Sequence, residues 1–166
     1  DLSLEPAAAC YGFYFLEIAD YYAQENNDEK ELLKLLYQTM RALESSALDN
    51  RLVQRIFELK ALQIEGEVPN FFSCQSCGKK ENLIYFSAKR QGMVCSACRQ
   101  KAEELPVGES ALYTMQYILS VEIGKLYTFA VSEEVLHTLE MLLSRYFSIY
   151  ISHKFKSLDI LKTIQG

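Results

Sequence analysis

The stretch CQSCGKKENLIYFSAKRQGMVCSACRQK, residues 74–101, sets the organisation of this chain. It contains two Cys-x-x-Cys pairs with 17 residues between them. Thiolates three residues apart on a tight turn can hold one side of a tetrahedral ion, and a second pair completes the four ligands. The spacing therefore predicts one structural Zn²⁺ ion, with no coordination position left for water or substrate. The predicted ligands are Cys74, Cys77, Cys95 and Cys98.

Other interpretations of the four cysteines stay open. A redox pair would need a thioredoxin-like βαβ context, which the sequence does not indicate. Four thiolates also suit an iron–sulfur centre, and the cysteines could be metal-free. Zinc is favoured because a finger of about thirty residues cannot build a sufficient core alone, whereas structural zinc contributes on the order of 10 kcal/mol. The fifth cysteine, Cys10, lies in an apolar helical pattern and is interpreted as a small core residue.

Charge is sorted along the sequence. The whole chain of 166 residues carries −5, whereas residues 74–101 carry +5 and the remainder therefore carries −10. Sorting of this kind suggests a partner for the basic segment. Its cations are Lys79, Lys80, Lys89, Arg90, Arg99 and Lys101.

On both sides of the cysteine stretch, apolar residues recur at steps of three and four, which predicts helices. The predicted helices cover 7–24, 29–45, 51–66, 110–123, 132–150 and 157–164. Their predicted caps are Asp28, Asp49 or Asn50, Gly66, Ser132 and Ser157. Inside the finger, residues 82–87 and 93–95 predict two short strands joined by a turn at 90–92, and residues 105–108 are expected to return the chain to helix.

The predicted fold class is mainly α. A helical bundle domain is expected from residues 1–69 and 103–166, with a small four-cysteine zinc finger inserted at 70–102. No apolar run approaches the roughly 18 residues needed to span a membrane, and there is no basic n-region of a signal peptide. The sequence shows no phosphate loop, nucleophile elbow or His-Glu metal motif, so no enzyme is predicted and no small-molecule substrate is expected.

The order of these features resembles the C-terminal region of the bacterial recombination mediator RecO family. The resemblance covers essentially the whole chain, including Tyr14, Leu16-Glu17 and the KSLDIL ending. Its central residues are Phe57-Glu58-Leu59, Leu62, Gly66, Pro69, Cys74-x-x-Cys77-Gly78, Phe86-Ser87, Gly92 and Cys95-x-x-Cys98. Family members begin with an OB-fold barrel that this sequence does not include, and usually have two glycines where this chain has Gln91-Gly92. The chain is therefore interpreted as part of a longer protein.

The resemblance implies a non-catalytic DNA repair and recombination factor of the bacterial cytoplasm and nucleoid. Such proteins bind single-stranded DNA and the acidic, hydrophobic C-terminal tail of the single-strand-binding protein SSB. They anneal complementary strands and, with RecR, load the RecA recombinase. A second interpretation is a zinc-stapled helical scaffold that binds only protein.

Two sites are candidates for these partners. The basic residues of the finger could contact phosphates, with Tyr85 and Phe86 stacking on bases, although one ring of the pair could instead pack over the zinc. Alternatively, the charges of the finger are merely solvated. The SSB tail needs an apolar pocket flanked by cations, for which the third helix offers Arg51, Leu52, Arg55 and Ile56. The alternative is a solvated helix edge.

Overall fold

The computed structural model describes residues 5–25, 29–100, 103–151 and 155–165. Within these residues the fold is mainly α with a small sheet, as predicted. The helices are α1 (Pro6–Glu25), α2 (Lys30–Ser45), α3 (Asn50–Ile64), α4 (Glu109–Ser120), α5 (Glu133–Tyr150) and α6 (Lys156–Gln165). Two short 3-10 turns lie at Ser96–Cys98 and Ile123–Lys125. In the described part of the chain, no helix is both long and apolar enough to pass through a bilayer.

Helix α3 lies at the centre of the bundle. Every residue from Leu52 to Leu62 is buried, and the helix packs against α1, α2, α4 and α5. A helix that is enclosed on all sides buries polar side chains as well, and these need partners. Glu58 has three: the Tyr14 hydroxyl donates to it at 2.5 Å, Arg55 at 2.9 Å and Gln54 at 3.2 Å. This polar cluster joins α1 to α3.

Helix boundaries follow the predicted caps at most positions. The Asp49 side chain accepts a hydrogen bond from the Arg51 amide at 2.9 Å, and Ser132 accepts one from the Val135 amide at 3.2 Å. Gly66 has a φ of 74°, which lets the next amide, that of Glu67, donate back to the Leu62 carbonyl and finish α3. The predicted cap Asp28 lies outside the described residues.

The predicted cap of the last helix is wrong. Ser157 is already inside α6, and its amide donates to the Glu17 carboxylate of α1 at 2.7 Å. A carboxylate near the free N–H groups of a helix N-terminus is stabilising, so α1 supplies the cap that the local sequence does not. At the other end of α6, Gln165 donates to the Tyr11 hydroxyl at 2.9 Å. The two helices therefore run antiparallel, side by side.

The finger contains a three-stranded sheet in the order β2-β1-β3, where β1 is Leu83–Ser87, β2 is Gly92–Cys95 and β3 is Leu105–Pro106. The two predicted strands pair antiparallel, and Gln91 takes the positive φ of 59° that their turn requires. The third strand was not predicted, because it is two residues long and contains a proline, which is tolerated only at a sheet edge.

The finger and the helices share one hydrophobic core. Phe86 of β1 stacks on Phe71 at 5.8 Å between ring centroids and meets the Tyr146 ring of α5 edge-on at 6.3 Å. Tyr150 also donates to the Ala88 carbonyl at 2.7 Å. Because β3 extends the sheet of the finger past residue 102, the structure shows no clear domain boundary at that residue. The division into a helical domain and an inserted finger stays a prediction.

Candidate metal centre and nucleic-acid surface

The four cysteines of the two pairs come together at one end of the finger. The sulfur atoms of Cys74, Cys77, Cys95 and Cys98 all lie within 4.8 Å of one another, and Cys77 Sγ is 3.7 Å from Cys95 Sγ. Four thiolates bound to zinc at about 2.3 Å in a tetrahedron would have sulfurs about 3.8 Å apart. The cluster can therefore hold a metal ion, and its size and all-sulfur donor set fit zinc.

Local backbone structure places each pair of ligands. Around the first pair, the Cys74 amide donates to the Lys79 carbonyl at 2.7 Å, and Gly78 donates to the Cys74 carbonyl at 2.9 Å. Gly78 has a φ of 78°, a conformation that favours glycine and closes this turn. The second pair begins at the end of β2 with Cys95 and continues into the 3-10 turn that carries Cys98.

Backbone amides prepare part of the cluster for the thiolate form. Burial disfavours the charge on Cys74, but hydrogen bonds from nearby amides outweigh it and lower the pKa of this thiol to about 6. The amides of Ser76 and Cys95 point at its sulfur at 3.4 and 3.3 Å. Cys98 is the opposite case, because hydrogen bonding to Cys95 and Cys77 raises its pKa to about 12. Without a cation, four adjacent thiolates would repel one another, so metal binding must displace protons.

The redox interpretation gains no support from the sheet. In the described part of the chain, the strands of the finger pair antiparallel, whereas a thioredoxin-like site sits in a parallel βαβ unit. Cys10 is half-buried on α1 and packs against the core.

The predicted DNA-contacting cations divide into two groups. Four of them project from the finger as exposed side chains: Lys79, Lys80, Lys89 and Arg99. Lys101 lies outside the described residues. Exposed lysines on one small module can approach a phosphate backbone without first breaking contacts inside the protein.

Arg90 differs from the other cations because it is engaged inside the finger. Its guanidinium pairs with the buried Glu104 carboxylate, donates to the Ser76 hydroxyl, and donates to the Cys98 carbonyl at 3.2 Å. These partners belong to both cysteine turns and to the segment before β3. Arg90 therefore links these three segments of the finger, and its guanidinium is not free to bind a phosphate.

The two aromatic residues singled out on β1 point in opposite directions. Phe86 is fully buried between Phe71 and Tyr146, so it cannot stack on a base. Tyr85 is half-buried, and the Arg99 guanidinium lies over its ring at 4.2 Å and donates to its hydroxyl at 3.1 Å. This stacked pair is an accessible aromatic and cationic surface on the finger.

The four residues predicted to form the tail pocket on α3 do not make a pocket in the structure. Leu52 and Ile56 are 2% and 0% exposed, so both belong to the core and cannot receive a ligand. Arg51 faces the surface, where it pairs with Asp49 at 2.7 Å and with Glu133 at 2.6 Å. One turn of helix separates it from Arg55, yet Arg55 is buried. The error came from the period-3.6 pattern, which cannot show that α3 is enclosed on every side.

Arg55 instead lines a cavity of about 440 Å³ between α3, α5 and α6. Burial opposes the charge of Arg55, but the Glu58 carboxylate at 2.9 Å keeps the pKa of the guanidinium above its ordinary value. Its Nε is buried without a hydrogen-bond partner. Phe147, Ile151, Phe155 and Leu158 form an apolar wall. The acidic Glu58 and Asp159 also line the cavity, and Lys162 lies at its exposed edge. Sequence reasoning missed this cavity because its residues are about one hundred positions apart along the chain.

The comparisons agree with this architecture. A family model described as Recombination protein O C terminal matches residues 4–159. The chain is 28% identical to the DNA repair protein RecO of Caldicellulosiruptor saccharolyticus, over 99% of the chain and 67% of the relative. It is also 28% identical to the RecO proteins of a Thermoanaerobacter species and of Acetivibrio thermocellus, over 92% and 93% of the chain and 62% of each relative. The chain thus spans about two thirds of the length of these relatives. No solved structure matches significantly.

Proposed function

Because the chain belongs to the family of recombination protein O C-terminal regions, we propose that it is the helical and zinc-finger part of a non-catalytic DNA repair mediator. It acts in the bacterial cytoplasm, at the nucleoid, and binds single-stranded DNA and the SSB C-terminal tail. It promotes strand annealing and, with RecR, the loading of RecA. The observation that carries this proposal is a basic finger with a four-cysteine cluster on an otherwise acidic helical body, whose cavity holds the buried Arg55.

The finger supports the DNA part of the proposal. Its three exposed lysines, Lys79, Lys80 and Lys89, are free to neutralise phosphates, and the Arg99–Tyr85 stack offers a face for a base. Zinc has a structural role here, because four sulfur ligands leave no open coordination position. By fixing both cysteine turns, the ion would hold the backbone of Lys79, Lys80 and Arg99, which lie within or next to these turns.

Salt titration of DNA binding tests this surface. Each phosphate contact with single-stranded DNA contributes about −0.7 to the slope of log K against log salt. If all three lysines make contacts, the variant with Lys79, Lys80 and Lys89 changed to Glu should bind a labelled oligothymidine more weakly, with a slope shallower by about 2. Lys125→Glu is the control, since Lys125 is an exposed cation of the helical body. An unchanged affinity and slope in the triple variant would exclude the finger as the DNA surface.

The cavity supports the SSB part of the proposal. Its volume of about 440 Å³ is within the range of pockets that bind small ligands. Arg55 offers a buried guanidinium with a free Nε, which can pair with a carboxylate at the end of a peptide. The apolar walls suit a terminal hydrophobic side chain, and Lys162 can meet an acidic residue next to it. This cavity takes the place of the pocket predicted from sequence, whose apolar residues belong to the core of α3.

Fluorescence anisotropy with a labelled SSB-tail peptide tests the placement. We expect saturable binding that is lost when the C-terminal carboxylate of the peptide is amidated. Lys162→Ala should weaken binding, because it removes a cation at the edge of the cavity, whereas Lys156→Ala on the same helix should not. Arg55→Lys keeps the charge but removes the planar fork, and should also weaken binding. If the folded fragment binds neither the tail nor DNA, the interpretation as a protein scaffold is favoured instead.

A further inference from the structure

A groove lined by aromatic side chains lies between α4 and α5, and it shares no lining residue with the cavity at Arg55 or with the finger cations. Its volume is about 840 Å³, and it is bounded by α4, by residues 129–131 and by the first turn of α5. Three rings define it: Tyr113, Tyr117 and Phe129. Tyr113 and Tyr117 stack with their planes 24° apart, and Phe129 meets Tyr117 edge-on at 5.3 Å between centroids. These rings form a corner with one exposed face.

Tyr113 is the exposed part of this corner, with 68% of its surface accessible. Fold stability does not explain so large an exposed ring, because little of its area is removed from water. Two other tyrosines of the described chain, the half-buried Tyr85 and the exposed Tyr37, each have an arginine over the ring. Arg99 lies 4.2 Å from the centroid of Tyr85, and Arg41 lies 5.8 Å from that of Tyr37. No such cation lies over Tyr113 among the described residues.

Among the described residues, the charged side chain that lines the groove is acidic. Glu109 lines it, and no lysine or arginine of the described chain does. Glu133 and Glu134 follow in the first turn of α5, and Glu133 is neutralised by Arg51 at 2.6 Å. In the described part of the chain, no ion pair neutralises the exposed carboxylates of Glu109 and Glu134. A nucleic acid would bring phosphates towards these acids, whereas a cationic ligand would be attracted to them.

We propose that the Tyr113–Tyr117–Phe129 groove docks an extended peptide segment of a partner protein that carries arginine or lysine between prolines or other apolar residues. The cation lies over the exposed Tyr113 ring and near Glu109, and the apolar residues enter the corner made by Tyr117 and Phe129. Grooves lined by aromatic rings bind extended, proline-rich segments because such segments lose little conformational entropy. This inference is independent of the proposed DNA and tail sites.

The test uses a defined probe, a labelled peptide of about ten residues with two arginines among prolines and leucines. A matched peptide has both arginines replaced by glutamate. The unaltered chain should bind the arginine peptide and not the glutamate peptide. Tyr113→Ala should weaken binding about three- to tenfold, since a cation–ring contact and some apolar contact are lost. Tyr113→Phe should bind like the unaltered chain, because it keeps the ring.

Control variants separate this groove from general surface effects. Tyr37→Ala removes another exposed ring, 60% accessible, and should leave binding unchanged. Glu109→Lys should weaken binding of the arginine peptide, and the loss should shrink at high salt because exposed charges are screened. Tyr113→Ala should leave binding of the SSB-tail peptide and of oligothymidine unaltered. A loss of arginine-peptide binding alone can therefore be told apart from a loss of the proposed mediator function.

Several results would overturn the inference. One is the absence of binding to the arginine peptide at protein concentrations up to about 1 mM, because a Kd above this value would be too weak for specific docking. Another is equal binding by Tyr113→Ala and the unaltered chain. If oligothymidine binding, and not peptide binding, is lost in Tyr113→Ala, the groove is a nucleic-acid surface. If the variant instead abolishes a concentration-dependent rise in mass measured by light scattering, the groove joins two copies of this chain.

Discussion

Replacing Phe86 with Ala tests whether the finger and the helical bundle unfold together. Phe86 is fully buried, stacks on Phe71 at 5.8 Å and contacts Tyr146 of α5 at 6.3 Å. Truncating a buried Phe to Ala typically costs about 3–5 kcal/mol, a range that already includes the lost ring contacts and any partial collapse of the cavity. We therefore expect a loss of about 4 kcal/mol in the free energy of unfolding.

The assay is urea unfolding followed by circular dichroism at the helical band, to which the short strands of the finger contribute little. A chain of this size has an m-value of about 2 kcal/mol per molar urea, so the midpoint should fall by about 2 M. Ile84→Ala is the matched control, because Ile84 lies on the same strand but is 39% exposed. Its cost should stay below about 1 kcal/mol.

The finger and the bundle unfold together only if the helical signal responds to a change in the finger. If Phe86→Ala leaves the helical midpoint within error of the unaltered chain, the shared core does not couple the two parts. The finger would then be an independent module, and the predicted domain division would be favoured.

Four further predictions concern the finger. Arg90→Ala should cost about 3 kcal/mol in the same unfolding assay, because it leaves the buried Glu104 carboxylate without its cation. Gly92→Ala should cost about 1–3 kcal/mol, since a Cβ there would lie 2.7 Å from the Asn70 carbonyl oxygen. Cys98→Ser should release zinc to a chromogenic chelator. In the unaltered chain the apparent zinc affinity should fall as pH is lowered, because the pKa of Cys98 is about 12 and its proton must leave before the metal binds.

The features that sequence predicted well are set by local chemistry. The helices of the bundle follow from apolar residues spaced three and four apart, and the caps at Asp49 and Ser132 follow from side chains that reach a neighbouring amide. The cysteine cluster is equally local in origin, because each Cys-x-x-Cys pair sits on its own turn. Only the meeting of the two pairs needed the β1–β2 hairpin, which was also predicted.

What sequence could not predict depends on contacts between distant segments. Ser157 looked like a cap, but Glu17 of α1 takes that role across the chain. Arg55 and Ile56 looked like the edge of an amphipathic helix, yet packing on four sides of α3 buries both. The cavity and the aromatic groove join residues of different helices. Such features require the tertiary arrangement, which a periodic pattern does not contain.

The antiparallel pairing of α1 and α6 has a consequence for biosynthesis. Tyr11 and Tyr14 of α1 are covered by residues near positions 155–165, which leave the ribosome after all the other described elements. Helix α1 therefore cannot finish burying its apolar face until the α6 segment has been synthesised, and the core stays open to solvent on that side until then. During this interval the exposed aromatic face of α1 is available for binding by chaperones or for aggregation, so mutations that weaken α6 should lower the yield of folded protein more than their effect on equilibrium stability suggests.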